Sequence, residues 1–204
     1  HAVGDRAFEQ VLSAHEYAQA ICPGRNLRHR VEHAELLSFD QIKRAKKLNL
    51  VLSMQPVFET LLGNTQKGLY EGCNELYVES LGERHLRTNM FRQILDEGIV
   101  ICAGSDSALT PVNPLLGIYS AVNHPKKDHA VTLIEAIKMF TSSAAYATFS
   151  ESERGSIARG KKADLTVLDK DIQKVNPESI KDISVDITIR EGRIVYSRNR
   201  EELL

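Results

Sequence analysis

Three side chains of the kinds that hold divalent cations, His1, His33 and Asp106, stand far apart in the chain, each at the C-terminal end of a strand-like segment. Imidazole and carboxylate are the ligands that zinc and similar ions accept in hydrolytic sites, and such a site keeps one position open for water. Ligands distant in sequence converge when each closes an adjacent parallel strand. The pattern therefore predicts metal-assisted hydrolysis, with His1, His33 and Asp106 as metal ligands. Taken singly, each residue has a blander reading: a strand-end histidine is often a hydrogen-bonding core residue, and Gly104-Ser105-Asp106 is an ordinary turn or cap tripeptide. It is the three in register that favour the site.

Other chemistry-bearing residues read as structural. Glu32 alternates to the strand face opposite His33 and is placed to orient a neighbour rather than to bind the same ion. His29 shares the His33 face and reads as a packed, satisfied histidine, whereas His15, His85, His124 and His129 fall in helical or loop segments and read as solvated. Cys102 sits among apolar residues and reads as a small buried hydrophobe. Cys22, Cys73 and Cys102 are an odd, widely spaced set without a C-x-x-C pair, which argues against a disulfide framework or zinc ribbon and fits a reducing, cytoplasmic setting.

The elements that position these residues alternate. A helix is predicted from Asp5, as N-cap, to about Ala20, and a strand from Leu27 to His33. Ser38 with Gln41 forms a capping box that opens a helix to about Leu48, followed by an apolar strand over Leu50–Met54. Gln55 to about Gly82 reads as a long loop of the kind that serves as a lid. A helix follows over Glu83–Glu97, stopped by Gly98, then a buried-type strand over Ile99–Ala103. Asn113-Pro114 and Thr132 with Glu135 start two more helices. Past Gly155 the texture changes to short strands over Asp164–Asp169, Asp186–Arg190 and Arg193–Ser197, the last two joined by a Glu191-Gly192 turn.

Alternating units with apolar strands predict an α/β fold with a parallel sheet, either doubly wound or a (β/α)8 barrel; periodicity does not choose, but ligand-type residues at three strand ends favour the barrel. Only about four βα units are visible, so the chain reads as the C-terminal half of such a barrel, cut from a longer protein. Residues 1–150 form the half-barrel and 151–204 a C-terminal β-sandwich segment. Twenty-six basic against 27 acidic residues give a net charge of −1, which leaves no global field for nucleic acid or anionic lipid, and no apolar run is long enough for a membrane helix.

Several segments carry a resemblance. His1 to Ala7 (HAVGDRA), Arg28 to Glu35 (RHRVEHAE), Met54-Gln55-Pro56, and Gly104-Ser105-Asp106 followed by Asn113 to Gly117 (NPLLG) resemble successive motifs of the amidohydrolase superfamily. The nearest branch is the YtcJ-like metal-dependent hydrolases (amidohydrolase family 3). Thr141 to Tyr146, Gly155 to Asp169 and Gly192 to Tyr196 are similar to that branch's C-terminal segment. The resemblance implies that His1 ends the fifth barrel strand, His33 the sixth and Asp106 the eighth, with Asp106 both binding metal and moving the proton from water to the leaving group. It implies one or two divalent ions, zinc foremost, and a small-molecule amide substrate cleaved at a non-peptide C–N bond, such as an N-acyl or N-formyl amide. The family's first-strand His-X-His pair and bridging residue have no counterpart in these 204 residues. The isolated fragment is therefore expected to bind zinc weakly, to lack activity and to self-associate through its open edge. The rival expectation is a non-catalytic regulatory protein derived from such an enzyme. A nucleotide-binding open sheet is disfavoured, because no Gly-rich phosphate loop follows any strand.

Overall fold

The computed structural model describes residues 1–23, 27–61 and 73–199. Helix α1 (Asp5–Ile21) begins at the residue expected to cap it: Gly4 is the N-cap and makes no side-chain bond, and Asp5 instead places its charge in the first turn, where the helix dipole favours it. Strand β1 (Arg30–Glu32) is shorter than the predicted strand, because Arg28 turns the chain with φ 45°. Helix α2 (Phe39–Lys47) opens with the predicted capping box, Ser38 accepting from the Gln41 N–H while the Gln41 side chain accepts from the Ser38 N–H. Strand β2 (Val51–Met54) follows.

The stretch read as a long loop contains two helices, α3 (Val57–Leu61) and α4 (Cys73–Leu81), while residues 62–72 of that expected lid lie outside the described residues. The single helix expected over Glu83–Glu97 is divided into a 3-10 turn (Gly82–Arg87) and α5 (Phe91–Asp96). Tertiary bonding explains the break: Thr88 pairs with Leu36 in an isolated bridge, and Asn89, at φ 53°, donates its N–H to the Glu35 carbonyl at 2.7 Å. Gly98 ends α5 at φ 74°, and β3 (Val100–Ala103) follows. Asn113 and Thr132 cap α6 (Pro114–Val122) and α7 (Leu133–Phe140), and α8 (Ser142–Ala147) follows. Strands β4 (Leu165–Leu168), β5 (Val185–Arg190) and β6 (Arg193–Ser197) form an antiparallel sheet, with Glu191 and Gly192 both at positive φ in the β5–β6 turn.

The first sheet is parallel in the order β1-β2-β3, and Ala2 bridges His33 in parallel on the far side of β1. The described strands thus lie side by side in chain order, without the reversal that marks a doubly wound sheet. Alternation divides the sheet's faces. Val31, Leu52, Met54 and Ile101 are buried against Phe8 and Leu12 of α1, Ile42 of α2, Ile94 of α5 and Met139 of α7. Glu32, Ser53 and Cys102 share one cross-strand row on the other face. Ile180, in a 3-10 turn ahead of β5, packs into the main core, as do Ile172 and Val175 at its margin. No helix among the described residues is long and apolar enough to cross a membrane.

Candidate functional site

The C-terminal ends of the parallel strands share one rim. At its centre is His33, buried and held at φ 76°, with Ala34 next to it at φ 51°. The left-handed pair turns the chain sharply out of β1 while the Ala34 N–H still bonds the Ala2 carbonyl at 3.0 Å, which ties the segment of His1 to the end of β1. His1 Nδ1 consequently stands 2.9 Å from His33 Nε2.

His33 Nδ1 lies 3.0 Å from Gln55 Oε1, immediately after β2, and the Gln55 amide nitrogen faces the Ser53 carbonyl at 3.4 Å. The amide is thereby oriented with its oxygen toward the ring, so Nδ1 carries the proton and Nε2 keeps its lone pair. This is the arrangement that presents Nε2 to a cation. Two imidazole nitrogens each about 2.0–2.1 Å from one tetrahedral zinc ion stand roughly 3.3–3.4 Å apart, so the pair, now in hydrogen-bond contact at 2.9 Å, needs to open only slightly for shared ligation.

Asp106 follows β3 on the same rim, exposed and at φ 53°. Its charge reaches Glu35, two residues beyond His33, but its carboxylate makes no hydrogen bond or ion pair with a described residue. Among the described residues, no three His, Cys, Asp or Glu side chains are close enough together to hold a metal. The structure therefore brings together two of the three predicted ligands and leaves the third on the same rim, apart from them. The donor chemistry of His1 and His33 fits a divalent ion.

Glu32 does not orient His33. Burial pushes its carboxyl up, but hydrogen bonds from Ser53 and Arg30 outweigh this and hold it below the ordinary glutamate value. Gln55 has the orienting role, which sequence reading missed although the residue lay in a noted motif. Glu35 was also missed. It is buried, accepts from the Tyr77 hydroxyl at 3.0 Å and has Oε1 3.8 Å from His33 Nδ1. Burial raises its pKa, and the Tyr77 bond and His33 only partly offset that. Phe58 lies nearly parallel to the His33 ring, with centroids 6.4 Å apart.

Three histidine expectations need correction. His29 is exposed and stacks on His15 at 4.7 Å, because the early turn at Arg28 keeps it out of β1. His124 and His129 are buried, not solvated. His124 Nδ1 accepts from the Lys126 N–H at 3.0 Å, and burial, reinforced by His129 and Lys126, pushes its pKa down to about 3. The ring is thus neutral, with its proton on Nε2, 3.8 Å from Glu59 Oε2. No local feature of Asn123-His124-Pro125 signals this; the packing of the end of α6 against Phe91 and His129 produces it. Cys102 is buried as expected, and burial raises its thiol pKa, so it is no nucleophile.

Beside His33 lies a cavity of about 330 Å³, whose wall includes Glu35 and Phe58.

Comparison with known proteins agrees with the geometry. Residues 1–196 match the family model described as the amidohydrolase family. The chain is 33% identical over 211 residues to the putative amidohydrolase YtcJ of Bacillus subtilis, covering 98% of this chain and 37% of that protein. It is 30% identical over 207 residues to an N-substituted formamide deformylase of Arthrobacter pascens, covering 97% and 36% respectively. The chain thus spans little more than a third of the length of these two relatives. Among solved structures, an uncharacterized metal-dependent hydrolase from Pyrococcus horikoshii superposes with a TM-score of 0.71 at 26% identity, covering 87% of this chain and 34% of that one.

Proposed function

The chain belongs to the amidohydrolase family, and from that premise we propose that it forms part of a metal-dependent hydrolase acting on non-peptide C–N bonds, N-acyl or N-formyl amides foremost. The observation that carries the reading is the facing pair of ring nitrogens, His1 Nδ1 and His33 Nε2 at 2.9 Å, with the tautomer of His33 set by Gln55. The in-order parallel strands favour the second half of a (β/α)8 barrel over residues 1–150, with 151–204 contributing to a β-sandwich. The name of the Arthrobacter relative points to formamides as one substrate class.

In this reading His1 and His33 hold a divalent ion, zinc foremost, and Asp106 joins them when the site is loaded. Bound there, the ion would polarise the substrate carbonyl and lower the pKa of water toward neutrality. The chain's own contribution is positional. Gln55 holds His33 in the ligating tautomer, and Phe58 and Glu35 shape the space beside it. Asp106 is exposed at the rim and has no side-chain partner among the described residues, so its carboxylate is placed to take a proton from water and pass it to the departing nitrogen. With only two imidazoles converging among the described residues, the 204 residues alone would hold zinc weakly. The substrate is a small molecule; neither nucleic acid nor membrane is a partner in this reading, the setting is cytoplasmic, and the open sheet edge favours self-association.

The test is metal content and turnover of the full-length natural protein with N-acetyl and N-formyl amides. We expect stoichiometric divalent metal, and loss of at least 1,000-fold in kcat/KM in His33→Ala. A metal-free protein, or one whose His33→Ala variant hydrolyses these amides unimpaired, would overturn the proposal.

A further inference from the structure

The cavity beside His33 has an uneven wall. Phe58, Val78 and Leu86 give it an apolar side, while Glu35, Glu59 and Lys126 supply charge. Its volume of about 330 Å³ admits a small organic group. Two carboxylates face one ammonium, and the charges do not share evenly. Lys126 Nζ bonds Thr88 Oγ1 at 2.7 Å and lies 3.7 Å from Glu59 Oε2, so the lysine compensates Glu59. Asn89 Nδ2 also donates to Glu59 Oε1 at 2.7 Å. Glu35 has no such cation: it is 4% exposed, and no Lys or Arg nitrogen among the described residues lies within 4.0 Å of it. A buried carboxylate with only a tyrosine hydroxyl and a neighbouring imidazole for company is incompletely compensated.

A second observation has the same sense. Asn89, 3% exposed and also part of the cavity wall, gives its amide N–H to Glu59 and leaves Oδ1 buried without a hydrogen-bond partner. The surplus in this wall is thus of acceptors and of negative charge, set against an apolar flank. A group that meets both demands has a short hydrocarbon stem and a terminal ammonium.

We propose that this cavity is a specificity pocket that takes the protonated amine end of an amide substrate, with Glu35 as its counter-ion and the Phe58, Val78 and Leu86 wall packing the stem. This deepens the hydrolytic reading and rests on it for the word substrate, but ammonium recognition itself needs no turnover. Glu35 Oε1 is 3.8 Å from His33 Nδ1, which makes the pocket a neighbour of the histidine pair.

The experiment uses the full-length natural protein and two readouts. Calorimetric titration with n-butylammonium, 1-butanol and butyrate is expected to show the ammonium bound at least tenfold more tightly than either isostere, and Glu35→Gln is expected to reduce that preference at least fivefold. Glu59→Gln supplies a second variant should Glu35→Gln fail to fold, and it should reduce the preference less, since Lys126 already pairs with Glu59. In turnover, N-acetyl-1,4-diaminobutane is expected to exceed N-butylacetamide at least tenfold in kcat/KM. Ammonium preference without cleavage of either amide would uphold the pocket and sink the hydrolytic reading. Equal binding of the three probes, or preference for butyrate, would overturn the pocket whether or not amides are cleaved.

Discussion

Replacing Gln55 by leucine isolates the contact that makes His33 a ligand. Gln55 Oε1 is 3.0 Å from His33 Nδ1, and the two residues are 5% and 8% exposed, so water cannot replace the lost acceptor. An unsatisfied buried donor costs about 1–3 kcal/mol. In the metal-free protein the imidazole can avoid that cost by moving its proton to Nε2, but with Nε2 on a cation the proton must sit on Nδ1. The penalty therefore falls on the loaded state, and zinc affinity should drop by about 10- to 100-fold, or roughly 1.4–2.7 kcal/mol. Gln55→Glu keeps an acceptor there and should bind zinc at least as tightly as the parent. Competition of the full-length protein with a fluorescent chelator measures all three. A Gln55→Leu protein within twofold of the parent would refute the orienting role, and with it the assignment of the His33 tautomer.

Two further perturbations probe the frame around the site. His124, whose pKa burial lowers to about 3, takes no proton in the folded state while the unfolded chain does so near the ordinary histidine value. Its contribution to stability is full above about pH 6.5 and is lost as pH falls through the folded value, so urea unfolding should weaken progressively over that window. His124→Asn, which keeps an acceptor for the Lys126 N–H, should remove close to one proton's worth of that slope; an unchanged slope would show the ring is not buried neutral. Gly117→Ala should destabilise by about 1–3 kcal/mol through overpacking, because a Cβ there would fall 2.3 Å from Phe140 Cζ. Thermal unfolding of this variant at the parent midpoint would show that Phe140 yields freely.

Where the physics is local, the chain announces its structure. Ser38 with Gln41 and Thr132 with Glu135 satisfy their helix starts reciprocally within four residues, and the structure shows both boxes closed. Gly98 and the Glu191-Gly192 turn needed only the left-handed conformation, and they too were legible. The failures share a different cause. Asn89 breaks a plausible helix because its N–H is claimed by Glu35, more than fifty residues earlier. His124 and His129 are buried by the packing of separate segments, and a histidine's type carries no signal of that. The site divides the same way: His1 and His33 were named from strand ends, whereas Gln55 and Glu35 act through contacts formed only once β1 and β2 are paired. Asp106 was named too, yet the loop after β3 leaves its carboxylate apart from the histidine pair.

In the proposed site His1 and His33 share one cation. Anomalous diffraction from crystals of the full-length protein grown with zinc tests it without recourse to turnover. The expected result is a peak about 2.0–2.1 Å from both His1 Nδ1 and His33 Nε2. Zinc bound at another place, with the two rings still in hydrogen-bond contact, would contradict it.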